Sequence, residues 1–295
     1  MRVIFFYSIF RLLFPTICVT IGVSQRQHRC GKIERYDMKL LAIGDIMAPA
    51  AVDYLCTHLP QIRRQHNIDL VVANGENASF LGGIGEDAAL KLLDHGVDII
   101  TGGNHTMQTR TIYPLLEKGE QVLRPINFPT EVVGYGSAIV TAKDGTKVLV
   151  VNAMGTNLIE PILDSPIPHI EKTLARNKGD YSLAVMDFHA EATGEKLAIA
   201  HMFGSHFAAI WGTHTHVPTA DEQVLPSGCG FMSDIGATAP TGGILGVKTE
   251  VICNRLRTKC PHPYRVAEGP VRAEGAIFDL DPNTNKCVSV ARIHF

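Results

Sequence analysis

The sequence lacks a dense run of lysine and arginine. Charged residues make up 19% of its 295 residues, and the formal net charge is -2 at pH 7. Proteins that bind duplex nucleic acid usually carry a concentrated basic surface. The sequence therefore predicts no duplex nucleic-acid partner.

Several chemical motifs are missing as well. The seven cysteines are widely spaced and include no CxxC pair, which argues against a zinc knuckle and favours a reducing, cytoplasmic compartment. The glycine-rich stretch 81–85 lacks the Lys-Ser/Thr ending of a P-loop, so it is interpreted as a turn. No Gly-x-Ser-x-Gly elbow occurs. Catalysis by a nucleophilic side chain is not indicated.

The apolar segment 4–23 is the only candidate in the sequence for a membrane-spanning or membrane-targeting segment. A spanning helix needs about 20 apolar residues, but Arg11 and Pro15 interrupt this one. An arginine at the centre of such a helix costs roughly 2.5–3.5 kcal/mol. We therefore predict no stable membrane insertion and interpret residues 1–37 as a leader or a non-native extension outside the fold, with export left open. Residues 38–295 are predicted to form one domain.

From residue 38 onward, short β-branched runs alternate with longer helical patterns, which is typical of an α/β fold with buried strands. The predicted strands are Lys39–Ile43, Asp69–Ala73, Val97–Thr101, Lys147–Asn152, Leu183–Met186 and Phe207–Trp211. The predicted helices are Ala51–Gln65, Glu86–His95 and Ile170–Arg176. The C-terminal part, including 228–235, 264–266, 275–280 and 286–293, is richer in strand than in helix, which favours the presence of a second sheet.

Five of the six predicted strands end, within a few residues, in side chains that can bind metal. These are Asp45, Glu76 with Asn77, Asn104 with His105, His189, and His214 with His216. The carboxyl ends of strands in α/β sheets converge on one crevice, so residues distant in sequence can form a single site there.

Each of these residues taken singly has a simpler explanation. Asp45 could cap a helix, Glu76 follows an Asn-Gly turn, and His189 could be a core histidine. His214 and His216 are harder to explain in this way, because residues at i and i+2 of a strand end project to the same side and imidazole is a common metal ligand. The recurrence at strand ends therefore favours a metal site.

The motifs also resemble a known family. They are Gly44-Asp45, Asn74-Gly75-Glu76-Asn77, Gly103-Asn104-His105, the run 187–193 and Gly212-Thr213-His214-Thr215-His216. Together with 124–129, 233–236 and 266–269, they resemble the YmdB-like branch of calcineurin-type dinuclear metallophosphoesterases over roughly residues 38–295. The resemblance implies a four-layer α/β/β/α sandwich with two mixed β-sheets.

The resemblance also implies the roles of the site residues. Glu76 would bridge two metals. Asp45, Asn77 and His216 would complete one metal site, and Asn104, His189 and His214 would complete the other. The oxygen and imidazole donors suit Fe, Mn or Zn, and iron is the metal that the family implies.

The implied activity is hydrolysis of cyclic nucleotides, particularly 2′,3′-cyclic nucleoside monophosphates. A hydroxide bridging the two metals would attack phosphorus, and His105 would protonate the leaving oxygen as a general acid. A broader phosphomonoesterase or phosphodiesterase would use the same site. A metal-bound module that senses nucleotides or RNA with little turnover is the alternative outside the enzymes, and homo-oligomerisation stays open.

The sequence departs from the family pattern beside Asp45. The usual motif is Gly-Asp-(Ile/Val)-(Val/Met)-Gly-x-x-Gly-Arg, but Ala48, Ala51 and Val52 occupy the positions of its last two glycines and its arginine. Losing that arginine could weaken the anchoring of the following helix or of the substrate phosphate. Met107 and Gln108 also replace the usual Trp-Asp. These changes concern the fit of the substrate more than the binding of metal.

Overall fold

The structure, a computed structural model, describes residues 37–79 and 82–295. The predicted leader therefore lies outside the described residues except for Asp37, and so does Leu81 of the glycine-rich stretch. Across the described ranges, no helix is long and apolar enough to cross a membrane.

Strands and helices alternate along most of the described chain. The strands are β1 (Met38–Ile43), β2 (Asp45–Ile46), β3 (Leu70–Asn74), β4 (Ile99–Thr101), β5 (Ser137–Thr141), β6 (Lys147–Met154), β7 (Leu183–His189), β8 (Ala209–Thr213), β9 (Gln223–Val224), β10 (Gly230–Met232), β11 (Ala237–Pro240), β12 (Val271–Arg272), β13 (Glu274–Asp281) and β14 (Lys286–His294). The α-helices are α1 (Ala48–His66), α2 (Glu86–Asp94), α3 (Tyr113–Lys118), α4 (Pro166–Arg176), α5 (Thr193–Phe203) and α6 (Thr249–Thr258). Two short 3-10 turns, Thr106–Gln108 and Arg110–Ile112, precede α3.

Two larger sheets organise these strands. The first has the order β14-β13-β1-β3-β4, and the second has the order β5-β6-β7-β8-β10-β9. Both are mixed: β1 is parallel to β3 but antiparallel to β13, and β7 is parallel to β8 whereas β5 is antiparallel to β6. The predicted pair of mixed sheets is confirmed. A small third sheet, β12-β11-β2, was not predicted, and it pairs Asp45 with Ala237.

Three apolar clusters separate four layers. Leu40 of β1 and Trp211 of β8 lie in the cluster between the two sheets. Leu41, on the opposite face of β1, packs with Leu55 of α1, because successive side chains of a strand point to opposite faces. Ile170 of α4 lies in the third cluster, on the outer face of the second sheet. This arrangement is the predicted α/β/β/α sandwich.

The predicted elements are confirmed with shifted boundaries. Strand β7 extends to His189 and β8 to Thr213, so these strands continue into the predicted site instead of ending before it. Residues 264–266, grouped with the C-terminal strands in the sequence, form no strand, and Val266 makes only an isolated bridge to Val247. Helix α1 begins at Ala48, three residues earlier than predicted.

The parallel strands place the site at one edge of the sandwich. β1, β3 and β4 are parallel in the first sheet, and β6, β7 and β8 are parallel in the second. Asn74, at the end of β3, donates a hydrogen bond to Asp187 of β7 over 3.0 Å. This buried contact joins the carboxyl ends of the two sheets, where the predicted ligands follow.

Candidate metal centre

The structure brings all eight predicted site residues into one network of contacts. They are Asp45, Glu76, Asn77, Asn104, His105, His189, His214 and His216. Asp45, Glu76 and His189 are completely buried. Complete burial of two carboxylates is unusual without a cationic partner. The arrangement therefore needs positive charge at its centre.

Asp45 and His216 form one side of this network. The Asp45 Oδ2 atom accepts a hydrogen bond from the backbone N–H of His214 at 3.0 Å. The Oδ1 atom has no hydrogen-bond partner, although it is buried and lies 3.7 Å from His216 Nε2. Leaving a buried carboxylate oxygen without a partner is costly. A cation beside Oδ1 would remove that cost, so the residues fit a metal ion.

His189 and His214 form the other side. His189 Nε2 lies 3.0 Å from Asn104 Oδ1, 3.1 Å from His214 Nδ1 and 3.4 Å from Glu76 Oε2. The Nε2 atom of His214 lies 3.1 Å from Glu191 Oε2, so a proton on this nitrogen leaves the Nδ1 lone pair directed inward. These donors point at a common space.

Glu76 belongs to both sides. The ligand atoms of Asp45, Glu76 and His216 lie within 4.8 Å of one another, and those of Glu76, His189 and His214 do the same. Two donor groups sharing one carboxylate can hold one ion or two adjacent ions.

Residues behind His189 fix the direction of its ring. The Thr213 hydroxyl donates to Asp187 Oδ1 at 2.7 Å, so its oxygen accepts a hydrogen bond from His189 Nδ1, which lies 2.9 Å away. Burial lowers the pKa of His189 well below its ordinary value, and the neutral ring then presents the Nε2 lone pair to the centre. Burial also raises the pKa of Asp187 to about 7, although the hydrogen bonds from Thr101, Thr213 and Asn74 oppose this shift.

The sequence interpretation did not assign roles to Asp187 and Thr213. Their position was the available signal: Asp187 precedes His189 by two residues on the same strand, and therefore shares its face of the sheet. Thr213 ends the neighbouring parallel strand, in register with His189.

His214 and His216 lie in a strained loop. Their φ angles are 100° and 65°, in the left-handed region that non-glycine residues rarely adopt. Thr215, between them, donates to Asp234 Oδ2 through its N–H at 3.0 Å and through its hydroxyl at 2.8 Å. Lys196 donates to the same oxygen at 2.8 Å. This buried ion pair was also missed, because its partners lie 38 residues apart.

His105 lies at the rim of the centre. Its backbone N–H donates to Glu76 Oε2 at 2.9 Å, and its Nδ1 lies 2.9 Å from Asn77 Oδ1 and 3.3 Å from Glu76 Oε1. In the described parts of the chain, no hydrogen bond uses Nε2. The hydrogen bond to Glu76 raises the pKa of His105, so the protonated ring is favoured.

The charged groups of the centre stabilise one another. Burial opposes ionisation of Asp45, yet its interaction with His216 holds the pKa of this carboxyl below its ordinary value. Burial likewise opposes ionisation of Glu76, and the hydrogen bonds from His105 outweigh it, so that its pKa is also lowered. Both carboxyls are therefore ionised near neutral pH, as metal ligands must be.

A cavity of about 450 Å³ opens beside this centre. His105, His216 and Asn77 line it, together with Ala48 and Gln108. Two of the departures from the family motif therefore lie in the cavity wall.

The other departures lie in the core. Val52 is buried against the first sheet, and Met107 packs beside the same cluster. The arginine position of the usual motif is thus filled by an apolar core residue of α1, away from the cavity lining.

Comparison with known proteins gives the family. The family model described as YmdB-like protein matches residues 41–293. The chain belongs to this family. This confirms the resemblance inferred from the motifs and the prediction that the chain is an enzyme of the phosphoesterase class.

Individual proteins also match over most of the chain. The 2′,3′-cyclic-nucleotide 2′-phosphodiesterase of Bacillus subtilis (strain 168) is 36% identical over 256 residues, covering 87% of this chain and 96% of the relative. A hypothetical protein from Thermus thermophilus has a crystal structure with a TM-score of 0.80 and 34% identity, covering 88% of this chain and 99% of that one. A novel phosphatase from Mycoplasma pneumoniae has a TM-score of 0.81 and 28% identity, covering 88% and 93%.

Proposed function

We propose that this YmdB-like enzyme is a metal-dependent phosphodiesterase that opens 2′,3′-cyclic nucleoside monophosphates. The observation that carries the proposal is the pair of largely buried donor groups that share Glu76, one of which reaches, through His216, a cavity that His105 also lines. The name of the Bacillus subtilis relative supports this substrate and assigns the cleaved bond to the 2′ oxygen.

The proposed ligands divide into two sets. Asp45, Asn77 and His216 would hold one ion, Asn104, His189 and His214 the other, and Glu76 would bridge them. These oxygen and nitrogen donors suit Fe, Mn or Zn, and we propose iron from the family resemblance. When bound, the ions would supply an activated water and neutralise charge on the phosphoryl group.

His105 would supply the proton for the leaving oxygen. Glu76 and Asn77 hold its Nδ1 side, so a protonated ring can donate from Nε2. In the reaction, the water loses a proton as its oxygen forms a bond to phosphorus, and the bond from phosphorus to the 2′ oxygen breaks. The proton from His105 moves to that oxygen, and the proton released by water restores His105 through solvent. A ribose alkoxide is a poor leaving group, and general acid catalysis typically contributes about 10²–10⁴-fold.

A phosphomonoesterase is the second candidate, because the Mycoplasma pneumoniae neighbour is described as a phosphatase. The sensing module with little turnover is a weaker candidate. Its only support was the altered motif, and Val52 lies in the core instead of the cavity lining.

The deciding experiment measures metal content and substrate preference of the full chain. We expect metal-dependent hydrolysis of 2′,3′-cyclic AMP to exceed that of 3′,5′-cyclic AMP and of p-nitrophenyl phosphate. Absence of metal-dependent turnover with every substrate would exclude the enzyme proposal, and preference for p-nitrophenyl phosphate would favour the phosphomonoesterase.

The role of His105 is tested separately. His105→Ala should retain its metal while losing about 10²–10⁴-fold in turnover of 2′,3′-cyclic AMP. His201→Ala, at an exposed position of α5, is the matched control and should behave as wild type. Loss of metal from His105→Ala would instead make His105 a ligand or a structural residue.

The compartment and the assembly state are also proposals. We propose a cytoplasmic location from the cysteine pattern and leave homo-oligomerisation open. Cell fractionation and light scattering of the full chain test the two points.

A further inference from the structure

Residues 241–270 form a segment that is closed at its base, and we call it the cap segment. The N–H of Thr241 donates to the carbonyl of Pro270 at 2.9 Å, and the N–H of Gly242 donates to that of Glu268 at 3.0 Å. Helix α6 lies within this segment. These hydrogen bonds hold the two ends of the cap segment together.

The cap segment supplies much of the wall of the cavity beside the metal centre. Ile244, Val247, Ile252, Tyr264 and Arg265 line the same cavity as His105 and His216. Its volume of about 450 Å³ lies in the range of roughly 300–1,000 Å³ found for small-molecule sites. An apolar wall with an aromatic ring beside polar catalytic groups suits a ligand with a flat apolar part and a phosphate.

Tyr264 is the aromatic residue in this wall. Its side chain is half exposed, and the Arg255 guanidinium lies 4.3 Å from the ring centroid. Arg255 is itself held by a 2.8 Å hydrogen bond to the carbonyl of His262. The ring is therefore held by a fixed cation while part of it faces the cavity, which suits stacking against a nucleobase.

Arg265 is the cation in the wall. Its backbone carbonyl accepts a hydrogen bond from Lys248 at 2.9 Å, which anchors the residue in the cap segment. Its guanidinium makes no ion pair or hydrogen bond with residues in the described ranges. An unpaired arginine in a cavity beside a phosphoesterase centre is suited to bind a phosphate oxygen.

We infer that the cap segment is the nucleotide-recognition wall of the enzyme, in which Tyr264 stacks on the base and Arg265 binds the cyclic phosphate. This inference rests on the proposed function for the identity of its substrate. It assigns recognition of the base to Tyr264 alone, and binding of the anion, with or without a base, to Arg265.

The test compares adenosine 2′,3′-cyclic phosphate with glycerol 1,2-cyclic phosphate, which has the same five-membered phosphate ring without a base. Wild type should favour the nucleotide. Tyr264→Ala should raise KM for the nucleotide about tenfold and change KM for the glycerol substrate by less than about twofold. Tyr264→Phe should restore the preference. Arg265→Gln should raise KM for both substrates.

Two controls separate recognition from folding. Arg257→Gln changes an exposed cation of α6 that does not line the cavity, and it should leave both KM values unchanged. Thermal unfolding should be alike in all variants. Equal effects of Tyr264→Ala on both substrates, or no effect of Arg265→Gln, would overturn the inference.

Binding measurements separate this inference from the proposed function. If wild type hydrolyses neither substrate, calorimetry with adenosine 2′,3′-cyclic phosphate decides. Binding that weakens in Tyr264→Ala and in Arg265→Gln would support the recognition wall and reject the proposed reaction. Absence of binding by wild type would reject both.

Discussion

Removing the charge of Lys196 should destabilise the fold and loosen the loop that carries His214 and His216. Lys196 and Asp234 are almost fully buried, and Nζ lies 2.8 Å from Oδ2. At an effective dielectric constant of about 20, two unit charges at this distance attract by about 6 kcal/mol. Much of this attraction offsets the desolvation of both groups. Removing one partner of such a pair typically costs about 3–5 kcal/mol.

Lys196→Met keeps most of the apolar stem and removes the charge. We expect a loss of about 3–5 kcal/mol in the free energy of unfolding, measured by urea denaturation of metal-free protein. Lys172→Met, at an exposed position of α4, is the control and should change stability by less than about 0.5 kcal/mol.

The loss should depend on pH. Burial raises the pKa of Asp234, and Lys196 opposes this shift, so the variant should have a still higher pKa in the folded state. A raised carboxyl pKa means that the folded state binds the proton more tightly than the unfolded state. Stability is then lost as pH rises through the folded-state pKa. The difference between Lys196→Met and wild type should therefore be larger at pH 8 than at pH 5.

The same variant tests the role of the pair in shaping the metal centre. Asp234 also accepts both hydrogen bonds from Thr215, so an altered carboxylate should reduce metal affinity measured by calorimetry. In Lys196→Met/Asp234→Asn no buried charge is left uncompensated, and the combined loss should be smaller than the sum of the single losses. Additive losses, or a loss below about 1 kcal/mol for Lys196→Met, would refute this account of the pair.

Three further outcomes are expected. Ala48 has φ 72°, so Ala48→Gly should raise the free energy of unfolding by about 0.5–1 kcal/mol in urea denaturation. Ala51→Gly, inside α1, is the control and should lower it. The opposite order would contradict the strain at Ala48. A Cβ at Gly103 would overlap the imidazole ring of His189, so Gly103→Ala should displace that ring and lower the bound metal measured by elemental analysis. Normal metal content would show that the ring tolerates the change. Removing the metal with a chelator should lower the unfolding temperature. Adding metal back at about 100 times its Kd should raise the free energy of unfolding by about 2.7 kcal/mol. An unchanged unfolding temperature would argue against a bound ion.

The alternating pattern and the donor residues could be predicted from local sequence. Buried strands require apolar runs whatever their partners are, so β1, β3 and β7 were visible as runs near residues 39–43, 69–73 and 183–186. The donor side chains at their ends were visible for a similar reason, because the identity of a metal-binding side chain is a local property. Their convergence followed from a general rule about the carboxyl ends of parallel strands.

The partners of those donors were decided only by the tertiary structure. His189 is oriented by the hydrogen bond that its Nδ1 donates to the hydroxyl of Thr213, 24 residues away, and the ion pair of Lys196 with Asp234 spans 38 residues. The sequence contained these residues, but no distance between them could be inferred from it. The same holds for Tyr264 and Arg265, which the chain brings to the cavity through the cap segment. Local propensity determines strands and available ligands, whereas burial, hydrogen bonding and charge pairing depend on which surfaces pack together after the sheets have formed.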